Sequence, residues 1–301
     1  MKILITGATG LIGAEIIKLC EKKNYFVHYL TTSKDKIKDT TSKKGFYWNP
    51  KSQEIDVTCL DGVNAIINLA GASVSERWTE KHKENMLNSR IDTVQLLYKL
   101  LSENEHNVTH FSSASALGIY PSSLEAKYRE KDDTVINATF LGEVVKKWED
   151  EMDTIESLGI TVSKLRTGIV LSAKGGALEQ MKKPVKWYMG APLGNGKQVQ
   201  SWIHIADMAS MYLYIIEHNS GGVFNASASN PVSNQQLTEA IAKQLNKPIW
   251  LPNVPSFVLK LVLGEMSAIV LESQHLINDK IKYQGFQFQY EWIDDALEDC
   301  L

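Results

Sequence analysis

Ile3-Leu4-Ile5-Thr6-Gly7-Ala8-Thr9-Gly10-Leu11-Ile12-Gly13 is the stretch that decides the fold. An apolar run rich in β-branched residues stops at Gly7, and an amphipathic stretch of helical period follows Gly10. The glycines are spaced GxxGxxG. Gly7 permits a tight turn, Gly10 lets backbone approach a pyrophosphate, and Gly13 lets the helix pack against the strand. The anion then meets the helix N-terminus, where free N–H groups and the dipole favour negative charge. Strand, turn and helix in this order predict dinucleotide binding, with Gly7, Thr9, Gly10, Leu11, Ile12 and Gly13 as the contacts.

Outward from this unit, short apolar runs alternate with longer amphipathic stretches, the pattern of a parallel βαβ sheet. Strands are expected at 2–6, 26–31, 65–69, 110–113, 162–165 and 222–225, with a further short one at 46–48. Helices are expected at 12–22, 80–101, 140–158 and 205–217. The runs 2–5 and 66–70 are apolar on both sides of the pleat, as strands covered by helices on both faces are. After Leu171, glycines and prolines break the chain into loops and short elements. The expected architecture is α/β: a Rossmann-type doubly wound parallel sheet in 1–171, with a smaller C-terminal substrate lobe in 172–301. The chain returns to the sheet around 201–226, so the lobes interleave, and a distinct C-terminal segment spans about 250–298.

Composition supports a globular chain and little else. Of 301 residues, 44% are hydrophobic and 22% charged, which excludes wholesale disorder. A net charge of −3 gives no general attraction to nucleic acid or anionic lipid, and no basic stripe with aromatics supports nucleic-acid binding. No uncharged apolar stretch is long enough to cross a bilayer, so no membrane partner is expected. The opening Met1-Lys2-Ile3-Leu4-Ile5 lacks the apolar core of a secretory signal, and Cys20, Cys59 and Cys300 form no CxxC pair. A cytoplasmic protein without a disulfide framework or zinc site is the expectation. His106 and His110 are spaced HxxxH, but the residues between them read as entry to a strand, where the rings do not share a helical face.

Cofactor choice is decided at the end of the second strand, where an acid would bond a ribose 2′-hydroxyl and favour NAD. Here Thr31-Thr32-Ser33-Lys34 offers hydroxyls and a cation, with no acid until Asp35, which suits the 2′-phosphate of NADP better than NAD. Asn68-Leu69-Ala70-Gly71 makes a second small-residue turn, so Leu69, Ala70 and Gly71 join the cofactor contacts.

These residues resemble the extended short-chain dehydrogenase/reductase superfamily of sugar-nucleotide epimerases, dehydratases and reductases. The resemblance is carried by TGATGLIG at the start, NLAG after a central strand, and the serine-rich 111–120. A closer resemblance, over nearly the whole chain, is to the branch called "epimerase family protein". It rests on Arg77-Trp78, Ser89-Arg90, Trp148-Glu149, Arg166-Thr167-Gly168, Gly175-Gly176-Ala177, the WIHIAD of 202–207, Leu263-Gly264-Glu265-Met266 and Gly285-Phe286.

The superfamily's chemistry implies a Tyr-x-x-x-Lys pair one helical turn apart, the lysine lowering the phenol's pKa. Aligned on Trp148-Glu149, those positions hold Phe140 and Val144, and neither transfers a proton. The substitutes that the resemblance brings near the site are Ser113 and Ser115 at a strand end, Tyr120 in the loop after it, and Glu143 on the helix. Arg90 reads as a phosphate or ribose contact. His204 and Asp207 fall where extended members close the substrate pocket, although a histidine between two isoleucines reads as a hydrogen-bonded core residue. Helices 80–101 and 140–158 resemble those through which extended members form homodimers.

Two functions follow. One is an NADP(H)-dependent oxidoreductase or epimerase acting on a small polar molecule, nucleotide-linked or free, held between the lobes. The other is a catalytically silent dinucleotide-binding sensor, favoured by the missing tyrosine and lysine.

Overall fold

The computed structural model describes residues 1–132 and 134–301. Its first half runs β1 (Lys2–Thr6), α1 (Leu11–Lys22), β2 (Phe26–Thr31), β3 (Lys43–Asn49), β4 (Glu54–Ile55), β5 (Ala65–Asn68), α2 (Glu80–Glu103), β6 (His110–Ala116), β7 (Lys127–Tyr128) and α3 (Phe140–Asp153). Then follow β8 (Thr161–Thr167), β9 (Ile169–Leu171), α4 (Ala177–Lys186), β10 (Val199–Gln200), β11 (Trp202–His204), α5 (Ile205–Glu217) and β12 (Gly222–Ala226). The chain closes with β13 (Val232–Ser233), α6 (Asn234–Gln244), α7 (Ser256–Leu263), α8 (Ala268–Leu271), β14 (His275–Leu276), α9 (Asp279–Tyr283) and α10 (Ile293–Cys300).

Eight strands form one sheet in the order β12-β8-β6-β5-β1-β2-β3-β4, parallel throughout except for β4. The order runs outward from β1 through β2 to β3, then resumes on the other side of β1 at β5. That reversal puts a topological switch point at the carboxyl ends of β1 and β5, where open α/β sheets bind ligands. Side chains of β1 alternate between two apolar layers, as a pleat requires. Ile3 and Ile5 pack with Ile16 of α1 and Met208 and Tyr212 of α5, while Leu4 packs with Val94 and Leu97 of α2 and Trp148 of α3. This is a helix–sheet–helix sandwich, and it explains why β1 and β5 read as continuous apolar runs.

Differences from the expected elements have local causes. The strand expected at 65–69 stops at Asn68, because Thr6 Oγ1 takes the N–H groups of Leu69 (2.9 Å) and Ala70 (3.0 Å) out of the ladder. The helix expected at 140–158 ends at Asp153 and tightens into a 3₁₀ turn closed by Gly159 at φ 74°. The strand expected at 110–113 continues to Ala116, and the short one at 46–48 grows to Lys43–Asn49. Of the segment 201–226, only β12 enters the main sheet, whereas β11 pairs with β9 outside it.

Sheet edges are guarded in two ways. On one side β4 is two residues long and antiparallel. On the other, Lys280 of α9 donates from Nζ to the carbonyls of Val223 (2.7 Å) and Gly221 (3.4 Å) and lies 4.0 Å from the centroid of Phe224. No described helix is long and apolar enough to cross a membrane.

Candidate functional site

Gly7 sits at φ 64°, and a Cβ there would come within 2.9 Å of the Leu69 carbonyl carbon, so the turn demands glycine on both conformational and steric grounds. At Gly13 a Cβ would lie 2.5 Å from the Gly7 oxygen and 2.7 Å from Ala8 Cα, which fixes α1 against the turn. At Gly10 it would meet the Gly7 oxygen alone, at 3.1 Å. The helix then starts at Leu11 with no side-chain cap and no acid in its first turn. Its first backbone N–H groups stay available to an anion, because a helix offers them no internal acceptor.

The last residues of β1 and β5 are bonded to each other, and that of β5 to the middle of β6. Thr6 Oγ1 donates to Asn68 Oδ1 at 2.7 Å, and Asn68 Nδ2 donates to Ser113 Oγ at 3.2 Å. All three side chains are buried. The chain of hydrogen bonds holds the ends of β1 and β5 and the middle of β6 in register with the glycine turn.

In front of them opens a crevice of about 1090 Å³. Gly7, Thr9 and Gly10 line it on one side, Thr31, Thr32 and Ser33 at its far end, and Leu69, Ala70 and Gly71 opposite. Most of the residues expected to hold a cofactor therefore converge. Leu11, Ile12 and Gly13 lie just behind, with Leu11 under Gly176 and Ile12 against the core.

Arg90 departs from expectation. Its guanidinium is folded behind the turn, donating to the carbonyls of Met86 (2.7 Å) and Ala72 (3.3 Å) and stacking 5.0 Å from the Trp148 ring. A Cβ on Gly71 would be 3.3 Å from Arg90 Cζ, so Arg90 supports the crevice wall and does not line the crevice. Burial pushes its pKa down to about 10.

The cations of the crevice also differ from the expected one. Lys34 stacks over Tyr47 at 4.7 Å, and the Ser33 hydroxyl is engaged by Asp35 at 2.6 Å. Lys36 and Lys51 line the crevice in place of Lys34, with Asn49 at the end of β3. Lys36 follows β2 closely and lies at the end of the turn Lys34–Lys36, whereas Lys51 is far from Thr31 in sequence. The parallel register Thr31↔Tyr47 brings its segment alongside, a consequence that the expected strand at 46–48 already contained. Asp92 shares the crevice, and burial raises its carboxyl pKa against the opposing pull of Lys51.

The four residues considered for proton transfer are scattered. Ser113 is committed to the strand-end bonds described above. Ser115 donates to Glu149 Oε1 at 2.5 Å. Tyr120 is a correction to the sequence reading: its ring is fully buried, its hydroxyl accepts from Arg166 Nη1 (2.8 Å) and donates to Asn225 Oδ1 (2.9 Å), and burial raises its pKa. The phenol is held inside the fold and does not reach the crevice.

Ser115 and Tyr120 belong instead to a buried network centred on Arg166 and Glu149, which pair through two contacts of 2.9 and 2.7 Å. A glutamate on the apolar face of α3 and an arginine inside β8 were the available signal: opposite charges in two buried elements must be partners.

Glu143 is exposed and paired with Lys147 at 2.7 Å. It lines a second pocket, of about 810 Å³, at the start of α3. Phe140 is there too, edge-to-face with Trp78 at 5.6 Å. Val144, one turn further along α3, is buried and does not line that pocket. The segment before α2 serves both openings, since Arg77 and Thr79 line the crevice and Trp78 the second pocket.

His204 is buried and caps α5, its Nδ1 accepting from Ala206 N at 3.2 Å. Asp207 accepts from the N–H groups of Gln289 (2.7 Å) and Tyr290 (2.9 Å), so both residues of this stretch anchor the C-terminal segment. Among the described residues, His204, Asp299 and Cys300 make the one group with metal-ligating side chains close together. Because Nδ1 already accepts a hydrogen bond, neutral His204 carries its proton on Nε2, the atom that would have to bind the metal.

A nucleotide-binding Rossmann fold of the extended short-chain dehydrogenase/reductase type is the class that this strand order and glycine turn define. The chain belongs to the NAD dependent epimerase/dehydratase family, whose model matches residues 3–157, and residues 254–300 match a domain of unknown function (DUF1731). An "epimerase family protein" of Staphylococcus aureus is 36% identical, with 99% of this chain and 98% of that one covered. One from Staphylococcus epidermidis is 35% identical over 100% and 99%. Among solved structures, the human epimerase family protein SDR39U1 (isoform 2) with NADPH is 25% identical, with a TM-score of 0.84 over 100% of this chain and 99% of that one. A nucleoside-diphosphate sugar epimerase from Corynebacterium glutamicum is 26% identical at TM-score 0.79, covering 100% of this chain and 58% of its own.

Proposed function

We propose that this protein is an NADP(H)-dependent oxidoreductase or epimerase that acts on a small molecule without the tyrosine–lysine relay. The observation that carries the cofactor is the crevice end, where Thr31 and Thr32 offer hydroxyls and Lys36 and Lys51 offer cations. Lysines and hydroxyls favour a 2′-phosphate. The glycine turn fits a pyrophosphate, because it leaves open the space that a side chain at position 10 would enter. The human relative of the same fold was solved with NADPH, which supports the same choice here.

Bound NADP(H) supplies or accepts a hydride. The chain's own part is to hold the pyrophosphate on the first N–H groups of α1, to fix the turn 69–71 with Thr6 and Arg90, and to place a second molecule in the pocket beside Phe140.

Calorimetric titration with NADPH and NADH tests the reading. NADPH is expected to bind at least about tenfold more tightly, roughly the effect of one charge-assisted contact. Lys36→Ala/Lys51→Ala should bring the two affinities together. Equal affinities in the wild type would overturn the assignment.

Phe140 and Val144 favour a second reading, a dinucleotide-binding sensor. Two readouts separate them over a panel of carbonyl compounds and nucleotide sugars, with Glu143→Gln and Ser113→Ala beside the wild type: consumption of NADPH for a reductase, and conversion of the sugar without net change of cofactor for an epimerase. NADPH binding with no turnover of any panel member selects the sensor.

A further inference from the structure

The second pocket departs from what a sugar needs. Its walls are Trp78, Ile136, Ala138, Phe140 and Ala268, together with the aliphatic stems of lysines. A sugar carries hydroxyls around the rim of its ring and requires a matching array of polar groups there. The polar side chains here are mostly engaged within the protein: Asn137 Nδ2 donates to Glu272 at 3.0 Å, Lys147 pairs with Glu143 at 2.7 Å, and Lys146 pairs with Asp150.

Lys83 is different. Its Nζ lies 5.5 Å from the centroid of Phe140, at the place where the superfamily carries its tyrosine. The lysine side chain is 15% exposed, yet the two carboxylates that hold it, Glu80 at 3.2 Å and Glu265 at 2.6 Å, are 92% and 63% exposed. Glu265 and then Glu80 raise its pKa, so it is a cation at neutral pH. Glu265 stands largely in solvent, so a carboxylate from another molecule can take its place on Lys83. Glu265 comes from the Leu263–Met266 stretch of the C-terminal segment, which thereby reaches the start of α3.

We propose that this pocket takes a substrate with a flat apolar body and a carboxylate, the body against Trp78 and Phe140 and the carboxylate on Lys83 in the place that Glu265 now holds. Phe140 is then a wall suited to an apolar body, and its lack of a hydroxyl is part of the specificity. The inference rests on the reading of this pocket as the substrate site of an NADP(H)-binding protein.

The test is calorimetric titration of the NADPH-loaded and the NADPH-free protein with 3-phenylpropionate, its neutral amide, and UDP-glucose. The acid should bind at least about tenfold more tightly than the amide, and UDP-glucose should not displace it. Glu265→Gln should tighten the acid severalfold and leave the amide unchanged. Lys83→Met should erase the difference between acid and amide while keeping the wild-type melting temperature and NADPH affinity. Equal binding of acid and amide, a preference surviving in Lys83→Met, displacement by UDP-glucose, or binding of none of the three overturns the proposal. Failure of NADPH to bind sinks the cofactor reading alone, since the titration without it reads the pocket separately.

Discussion

The crevice and the pocket beside Phe140 lie on either side of one short segment, residues 77–79, and are built by opposite means. The crevice is a backbone site. Its shape follows from glycines close together in sequence and from the ends of neighbouring parallel strands. The pocket is a side-chain site, assembled from the segment before α2, the start of α3 and the C-terminal segment, which meet only in the folded chain. Backbone sites obey short-range rules and tolerate little variation. Side-chain sites can change chemistry while the fold stays, which is how Phe140 and Val144 can stand where a relay is expected.

The strongest way to break this contrast is to install the relay. In Phe140→Tyr/Val144→Lys, the lysine replaces a side chain 3% exposed within the core of α3. A buried ammonium with no carboxylate partner costs roughly 3–5 kcal/mol, so the variant should unfold at markedly lower urea and gain no activity. Wild-type stability in that variant would show that position 144 is ready for a lysine.

A smaller effect is expected at the crevice. Gly13→Ala drives a Cβ into the backbone of Gly7 and Ala8, at a cost of roughly 1–3 kcal/mol from forced backbone movement. NADPH affinity should fall with it, while binding of 3-phenylpropionate beside Phe140 should survive. Parallel loss of both would mean that the two sites are one mechanical unit.

The smallest effect is with acid. Burial lowers the pKa of His110, which bonds Asn219 and Ser163 at 2.9 Å each, and burial likewise lowers His28, His204 and His275. A histidine with a depressed folded pKa is neutral in both states above about pH 6.5, so its contribution is complete there. As pH falls below that value the unfolded chain takes the proton first, and stability declines until the folded pKa is reached. Urea midpoints at pH 7.5, 6.5 and 5.5 should therefore fall in that order, with a shallower slope in His110→Asn. A rise on acidification would mean that carboxylate protonation dominates.

How legible each site was in the sequence follows the same division. The turn at Gly7–Gly13 and the strand ends at Thr31 and Leu69 could be placed before any coordinates, because each is fixed by its neighbours in the chain. Lys51 required the register of β2 on β3 as well, and Lys36 the turn Lys34–Lys36 that follows β2. Tyr120 was misplaced because its position depends on Arg166 and Asn225, both remote in sequence. Arg90 was put on the correct wall and given the wrong side of it, since a helix period says which face a side chain leaves from and not where a long side chain folds back. Lys83 and Glu265 offered no local sign of their meeting.

Lys280 has a consequence for how this molecule meets copies of itself. An exposed parallel strand such as β12 is a template on which another chain can extend the sheet, and such growth has no natural end. By occupying the Val223 and Gly221 carbonyls with an ammonium, Lys280 removes those acceptors and sets a positive charge along the border. Two molecules approaching edge to edge would bring like charges together before any ladder formed. Extension of the sheet along this border is disfavoured, because the carbonyls that a new strand would need are already taken.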